Sequence, residues 1–327
     1  MIGLIQITPW HWAGFIVCVL VFLALDLGVF HRKEHVVSFK EALAWTSLWI
    51  TLAMLFGGAL FYGRGHEEGS QFIAGYLIEL SLSLDNILVI ALIFSAFRVP
   101  LQFQHRVLFW GILGALVMRG VMIAAGAALI HEFHWILYVF GVFLIFTGFK
   151  MLFTNAEAVE PEKNPVLRCV RKFFPVTPDF EGRKFFSRMN GHFALTPLAL
   201  VLVLVETTDL IFAVDSVPAV FSITKNAFIV FTSNVFAILG LRSMYFLLAG
   251  ALGYFRYLKF GLSVVLVFVG VKMLLDPHDE DPKWFQVEIP TNVSLMTIAA
   301  VVLSTVVLST MVAEREKRTG MVNRKSK

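Results

Sequence analysis

Long apolar stretches separated by short polar ones set the pattern of this chain. Windows of the ~20 residues needed to cross a bilayer core lie at about 10–30, 43–62, 71–97, 107–130, 134–153, 193–221, 227–250, 257–275 and 293–313. They predict nine helical spans and an all-α, polytopic transmembrane bundle. The polar breaks alternate in charge. HRKEHVVSFK (31–40), the segment around Arg98 and Arg106, the stretch 154–192, the segment around Arg256 and Lys259, and the tail EREKRTGMVNRKSK (314–327) are basic. GRGHEEGS (63–70), HEFH (131–134), SITKNA (222–227) and the acidic run from Asp276 are not. Because basic loops stay on the cytoplasmic side, the N-terminus is predicted outside and the C-terminus in the cytoplasm.

Composition agrees with a lipid solvent. Hydrophobic residues are 58% and charged residues 15% of 327 positions, with mean hydropathy +0.78, against about 25% charged in soluble domains. The net charge of +4 reflects the loop asymmetry, so no nucleic-acid partner is expected. The first span lacks a basic n-region and a small-residue cleavage site, which predicts a retained helix rather than a signal peptide. Cys18 falls in a span and Cys169 in a loop, a placement that supports neither a disulfide nor a thiolate metal site.

The chain also repeats itself. SLSLDNI (81–87) resembles IFAVDSV (211–217), GALVMRGVM (114–122) parallels AILGLRSMY (237–245), and LIFTGFKML (144–152) parallels LVFVGVKML (266–274). The offsets are 130, 123 and 122 residues, in the same order. Each unit holds three spans, an odd number, so the second copy enters the membrane from the opposite side. Inverted repeats of this kind form many transporters, with the site near the midplane where the repeats meet. The predicted organisation is two N-terminal spans (1–62), repeat 1 (71–153), a cytoplasmic linker (154–192), repeat 2 (193–275), and an outside loop, last span and basic tail (276–327).

Charges inside the spans are the candidate chemistry. Glu79, Asp85, Arg119, Glu206, Asp209, Asp215 and Arg242 all fall there. At ~2.5–3.5 kcal/mol for each ionised residue at a helix centre, seven unpaired charges would cost roughly 17–25 kcal/mol. Arg119 and Arg242 read as supporting ion pairs. Five acids facing two arginines leave a surplus that a cation or protons must neutralise. The predicted metal site is Glu79, Asp85, Asn86, Glu206, Asp209 and Asp215, with Asp85 and Asp215 central, and with Ser216 and Asn234 as further oxygens. Carboxylate, amide and hydroxyl donors without His or Cys suit Mg, Ca or Mn rather than Zn or Cu(I). One geometric difficulty is visible. A spacing of six turns Glu79 about 240° from Asp85 on a regular helix, so both reach one pocket only if that helix is distorted. Pro218 is expected to loosen its span by freeing the Val214 carbonyl.

Other polar residues read as ordinary. Lys150 and Lys272 lie near span ends, where snorkelling to the interface is expected. Asp26 is expected to pair with the basic loop beside it, and His66, His131, His134 and His278 to be solvated. PVLRCVRKFF (165–174) reads as a basic amphipathic surface helix on the inner leaflet.

GYLIELSLSLDNILVIALIFSAFRVP, ETTDLIFAVDSVPAVFSITKNAFIVFTSNVFAILGLRSMYFLLAG and the two G-x-K-M-L endings resemble the TerC family, particularly its Alx-type bacterial members, over about residues 10–275. The resemblance implies an inner-membrane protein related to LysE-type exporters, associated with manganese export and, in the name-giving members, with tellurite resistance. The family's intramembrane acids then correspond to Glu79, Asp85, Glu206, Asp209 and Asp215. The expectation is a non-enzymatic transporter without a cofactor, exporting Mn2+ (Ca2+ being possible on ligand type) by rocking of one repeat against the other, with proton coupling left open. The alternative is a non-transporting membrane partner protein in envelope or metal stress, whose buried charges only hold the bundle.

Overall fold

A computed structural model describes residues 7–25, 38–133, 135–153, 164–189, 191–249, 258–276 and 286–325. Ten helices are present among them: α1 (Pro9–Leu25), α2 (Phe39–Arg64), α3 (His66–Ala96), α4 (Leu101–Glu132), α5 (Ile136–Phe153), α6 (Pro165–Phe173), α7 (Pro197–Phe221), α8 (Ala227–Ala249), α9 (Leu258–Leu275) and α10 (Thr291–Lys325). Seven of these, α2 to α5, α7, α8 and α10, are long and apolar enough to cross a membrane. The protein is thus an all-α polytopic membrane protein. α1 and α9 coincide with two further apolar windows. Asp26, His134 and His278 lie outside the described residues.

Local chemistry fixes several helix ends. Ser38 accepts a hydrogen bond from the Glu41 N–H at the start of α2, and Thr196 caps α7 with Pro197 following it, a favourable pairing of cap and first-turn proline. Gly65, at φ 100°, turns the chain from α2 into α3 in a conformation other residues reach only with strain. The Arg64 guanidinium pairs with Glu68 across that turn.

The bundle is built by pairing α3–α5 with α7–α9. α3 packs against α8 and α7, α4 against α7 and α8, and α5 lies along α9. α2 flanks α3 and α8, and α10 covers α3 and α9. The α5–α9 contact is the tightest because its facing residues are small. A Cβ on Gly270 would stand 2.7 Å from the Gly141 carbonyl oxygen, and one on Gly148 would stand 3.0 Å from the Ser263 carbonyl oxygen. Small residues let helix backbones approach where lipid offers no hydrophobic drive between helices. Large apolar side chains such as Ile16, Leu20, Val142, Phe146, Leu303 and Val307 remain exposed on the outer helices, as a lipid-facing surface requires.

Between α5 and α7 the chain forms α6 and an antiparallel hairpin, β1 (Phe186–Met189) with β2 (His192–Leu195). The amphipathic helix was legible in the sequence and the hairpin was not. α6 buries Leu167, and its exposed Cys169, like Cys18 on α1, is a free thiol. One expectation is corrected. Lys272 does not snorkel outward; it is 3% exposed and donates to the Ser222 carbonyl at 3.2 Å, with Asp276 at 3.5 Å. The end of α7 presents an acceptor within reach, so the ammonium is satisfied inside the protein.

Candidate functional site

Four helices deliver polar side chains to one buried point. On α3, Glu79 and Asn86 are seven residues apart, two helical turns, and so share a face. On α7, Asp209 and Ser216 repeat that spacing. Arg119 comes from the middle of α4 and Asn234 from α8. All six are buried: Glu79, Ser216 and Asn234 are 0% exposed, Asn86 1%, Arg119 2% and Asp209 5%.

Arg119 is the hub. Its Nη2 donates to Asp209 Oδ1 at 3.0 Å and its Nε to Asp209 Oδ2 at 3.2 Å, the bidentate fork a guanidinium makes with a carboxylate. Its Nη1 donates to Glu79 Oε2 at 2.5 Å, Asn234 Oδ1 at 3.2 Å and Ser216 Oγ at 3.4 Å. Asn86 Nδ2 donates to Asp209 Oδ1 at 2.9 Å and Asn234 Nδ2 to Glu79 Oε1 at 2.5 Å. Two carboxylates and one guanidinium leave the cluster with one formal negative charge too many. Asn86 Oδ1 is buried without a hydrogen-bond partner. A cavity of about 10 Å³ opens between Asn86, Asp209, Gly111, Ala115, Ile238 and Leu241, room for about one water.

The other predicted ligands lie apart from this cluster. α3 and α7 run as unbroken α-helices through residues 79–86 and 209–218, Pro218 included, so the 240° separation is kept in full. Asp85 is outside that cluster and feels the charge of Lys259 on α9. Asp215 accepts a hydrogen bond from Thr147 of α5, with Lys150 nearby. Glu206, one turn before Asp209, lies against α4 where Gly114 leaves room; a side chain on Gly114 would collide with its carboxylate. Glu206 Oε2 is buried without a hydrogen-bond partner. Arg242, the sequence counterpart of Arg119, is buried on α8 at 9% exposure. The centre of the constellation is therefore Glu79 and Asp209 rather than Asp85 and Asp215. Among the described residues no three His, Cys, Asp or Glu side chains converge as a metal-holding group. The donors that do converge are two carboxylates, two amides and a hydroxyl.

The roles of Asn86, Ser216 and Asn234 were foreshadowed by their residue type. Gly114, Thr147 and Lys259 carried no such signal, because each acts through a neighbour on a different helix. At one end of the bundle a cavity of about 870 Å³ is lined by residues including His66, Glu67, Lys225, Lys272, Asp276 and Glu288.

A polytopic helical bundle with an ion cluster buried among its central helices defines an integral membrane protein. Residues 64–317 match the family described as Integral membrane protein TerC family, and the chain belongs to that family. It is 54% identical over 302 residues, 92% of each chain, to the uncharacterized membrane protein STKORF319 of Myxococcus xanthus. It is 44% identical to proteins provisionally named membrane-bound redox modulator Alx, over 95% of this chain and 97% of the relative in both Salmonella typhi and Escherichia coli K12. No solved structure is similar enough to match.

Proposed function

We propose that this protein transports a hard divalent cation, Mn2+ before Ca2+, out of the cytoplasm, using the cluster around Glu79 and Asp209 as its substrate site. The observation that carries this reading is the convergence of five oxygen-bearing side chains, Glu79, Asn86, Asp209, Ser216 and Asn234, with more acid than base and no thiol or imidazole among them. Such donors suit Mn2+, Mg2+ or Ca2+. Asn86 Oδ1 and the adjacent small cavity supply a free acceptor beside the carboxylates. The pairing of α3–α5 with α7–α9 supports the inverted-repeat reading, in which the two units rock about a shared site. Asp85 and Asp215, which lie apart from the cluster and within the electrostatic influence of Lys259 and Lys150, are assigned to the path or to proton carriage rather than to central ligation. The alternating loop charges support a cytoplasmic-membrane location with the N-terminus outside.

The redox description carried by the Alx relatives is compatible with an indirect effect of metal movement, since the chain's two cysteines, Cys18 and Cys169, are free thiols on separate helices. A second reading keeps support from the satisfied Arg119 fork, which would equally pin the bundle of a non-transporting partner protein. Proteoliposomes holding wild type or Asp209→Asn at matched amounts separate the two. Mn2+ movement lost in the variant supports transport, and no movement in wild type removes it.

A further inference from the structure

The oxygens that would hold a metal are already held by a cation of the chain itself. Arg119 contacts Glu79 Oε2, both oxygens of Asp209, Asn234 Oδ1 and Ser216 Oγ at 2.5–3.4 Å. A divalent ion ligated by the same oxygens sits about 2.0–2.6 Å from each, in the space the guanidinium fills. The two cannot be there together.

We propose that Arg119 is a tethered competitor for the transported cation: guanidinium and divalent ion occupy the Glu79–Asp209 oxygens in turn, and Glu206 receives Arg119 when the ion enters. This rests on the cation-site reading above and adds its exchange step.

Three observations select Glu206. It lies three residues before Asp209 on α7, about 4.5 Å along the axis on the same face. It touches α4, the helix that carries Arg119, at Gly114. Its Oε2 is buried without a hydrogen-bond partner, an acceptor with no donor. A move of one turn along α7 carries the fork from Asp209 to Glu206, on the scale of known one-turn ratchets.

Charge accounting gives the exchange its selectivity. With Glu206 ionised, Glu79, Asp209 and Glu206 against Arg119 leave two negative charges. A divalent ion between Glu79 and Asp209, with Arg119 on Glu206, closes the balance. A monovalent ion leaves one buried charge uncompensated. Gly114 also gains a reason, because any larger residue would fill the space where the receiving carboxylate stands.

The test is direct Mn2+ binding to purified full-length protein by calorimetry, for wild type, Arg119→Gln, Glu206→Gln and the double variant, with Arg119→Lys should the glutamine variant not fold. Removing the competitor is expected to tighten Mn2+ binding by about tenfold or more, since the clasped state otherwise reduces apparent affinity by its population. Arg119→Lys, which keeps the charge but loses the fork, is expected to tighten it less. Glu206→Gln is expected to weaken binding by a similar factor, and that weakening should vanish in the double variant, where no guanidinium needs a new partner. Weaker or unchanged binding in both Arg119 variants overturns the proposal, as does a Glu206 effect that persists without Arg119, which would make Glu206 an ordinary ligand. Mn2+ binding by none of the proteins overturns the cation-site reading itself.

Discussion

Neutralising both carboxylates of the cluster should cost more than the sum of the single changes. Arg119 is 2% exposed and has two acidic partners, so either Glu79→Gln or Asp209→Asn alone leaves the guanidinium paired. Each single variant exchanges one charged acceptor for an amide and misaligns one donor, a loss of about 1.5–3 kcal/mol for a hydrogen bond to a charged group. With both changed, the guanidinium is left in the interior without any carboxylate, and the cost of that stranded charge comes on top of the two single losses. The background should be Glu206→Gln, so that no carboxylate remains one turn away on α7. The double variant is then expected to exceed additivity by at least about 1 kcal/mol. Adding Arg119→Met should recover much of the loss, because an apolar residue of similar length removes the stranded charge. Reversible unfolding in detergent, followed by α-helical circular dichroism, measures each corner of the cycle. Additive costs, or no recovery with Arg119→Met, would refute the view that this network is organised by one buried charge.

Other expectations follow from single contacts. Gly270→Ala should destabilise the bundle by about 1–3 kcal/mol, since its Cβ would meet the Gly141 carbonyl at 2.7 Å and the Ile145 backbone nitrogen at 3.0 Å. Gly58→Ala, with nothing within 4 Å of its Cβ, should instead gain up to about 1 kcal/mol from helix propensity; the two midpoints compared on one instrument check both. Asp85→Asn and Asp215→Asn should leave Mn2+ affinity within about threefold, less than 1 kcal/mol, yet slow its movement in proteoliposomes. A collapse of affinity would return them to the centre of the site. Lys272→Met removes the tie between α9 and the Ser222 carbonyl, and amide exchange at Ile223 and Thr224 should speed up while exchange in mid-α7 stays unchanged.

The bundle was readable because lipid imposes a simple rule. A run of about 20 apolar residues between polar breaks has few alternatives to a helix, and α2 to α5, α7, α8 and α10 fall on such runs. The pairing of α5 with α9 was not readable, although Gly141, Gly148, Ser263 and Gly270 are plain in the sequence, because a small residue shows only where another backbone can come close. The hairpin of Phe186–Met189 with His192–Leu195 was hidden among basic loop residues with no alternating pattern long enough to notice. At the site, residue type was legible and grouping was not. Helical phase separated Glu79 from Asp85, and the difficulty was visible beforehand; its resolution is an intact helix that keeps the two acids apart.

That resolution changes what buried charge means here. Five acids and two arginines spread along a sequence suggest one common pool of negative charge awaiting an ion. Folded, the pool is divided by helix phase. Glu79 and Asp209 pair with Arg119, Asp215 accepts from Thr147, Asp85 lies apart within the influence of Lys259, and Glu206 stands one turn from Asp209 against a glycine. On the cation-site reading proposed above, a divided set can exchange partners one step at a time, whereas a single pool would have to desolvate the entering ion and all its ligands at once. In a medium where an isolated charge costs several kcal/mol, the stepwise arrangement lowers the cost of any intermediate. On that proposal, the intact helices that keep Asp85 out of the central site are what lets the charges exchange partners in steps.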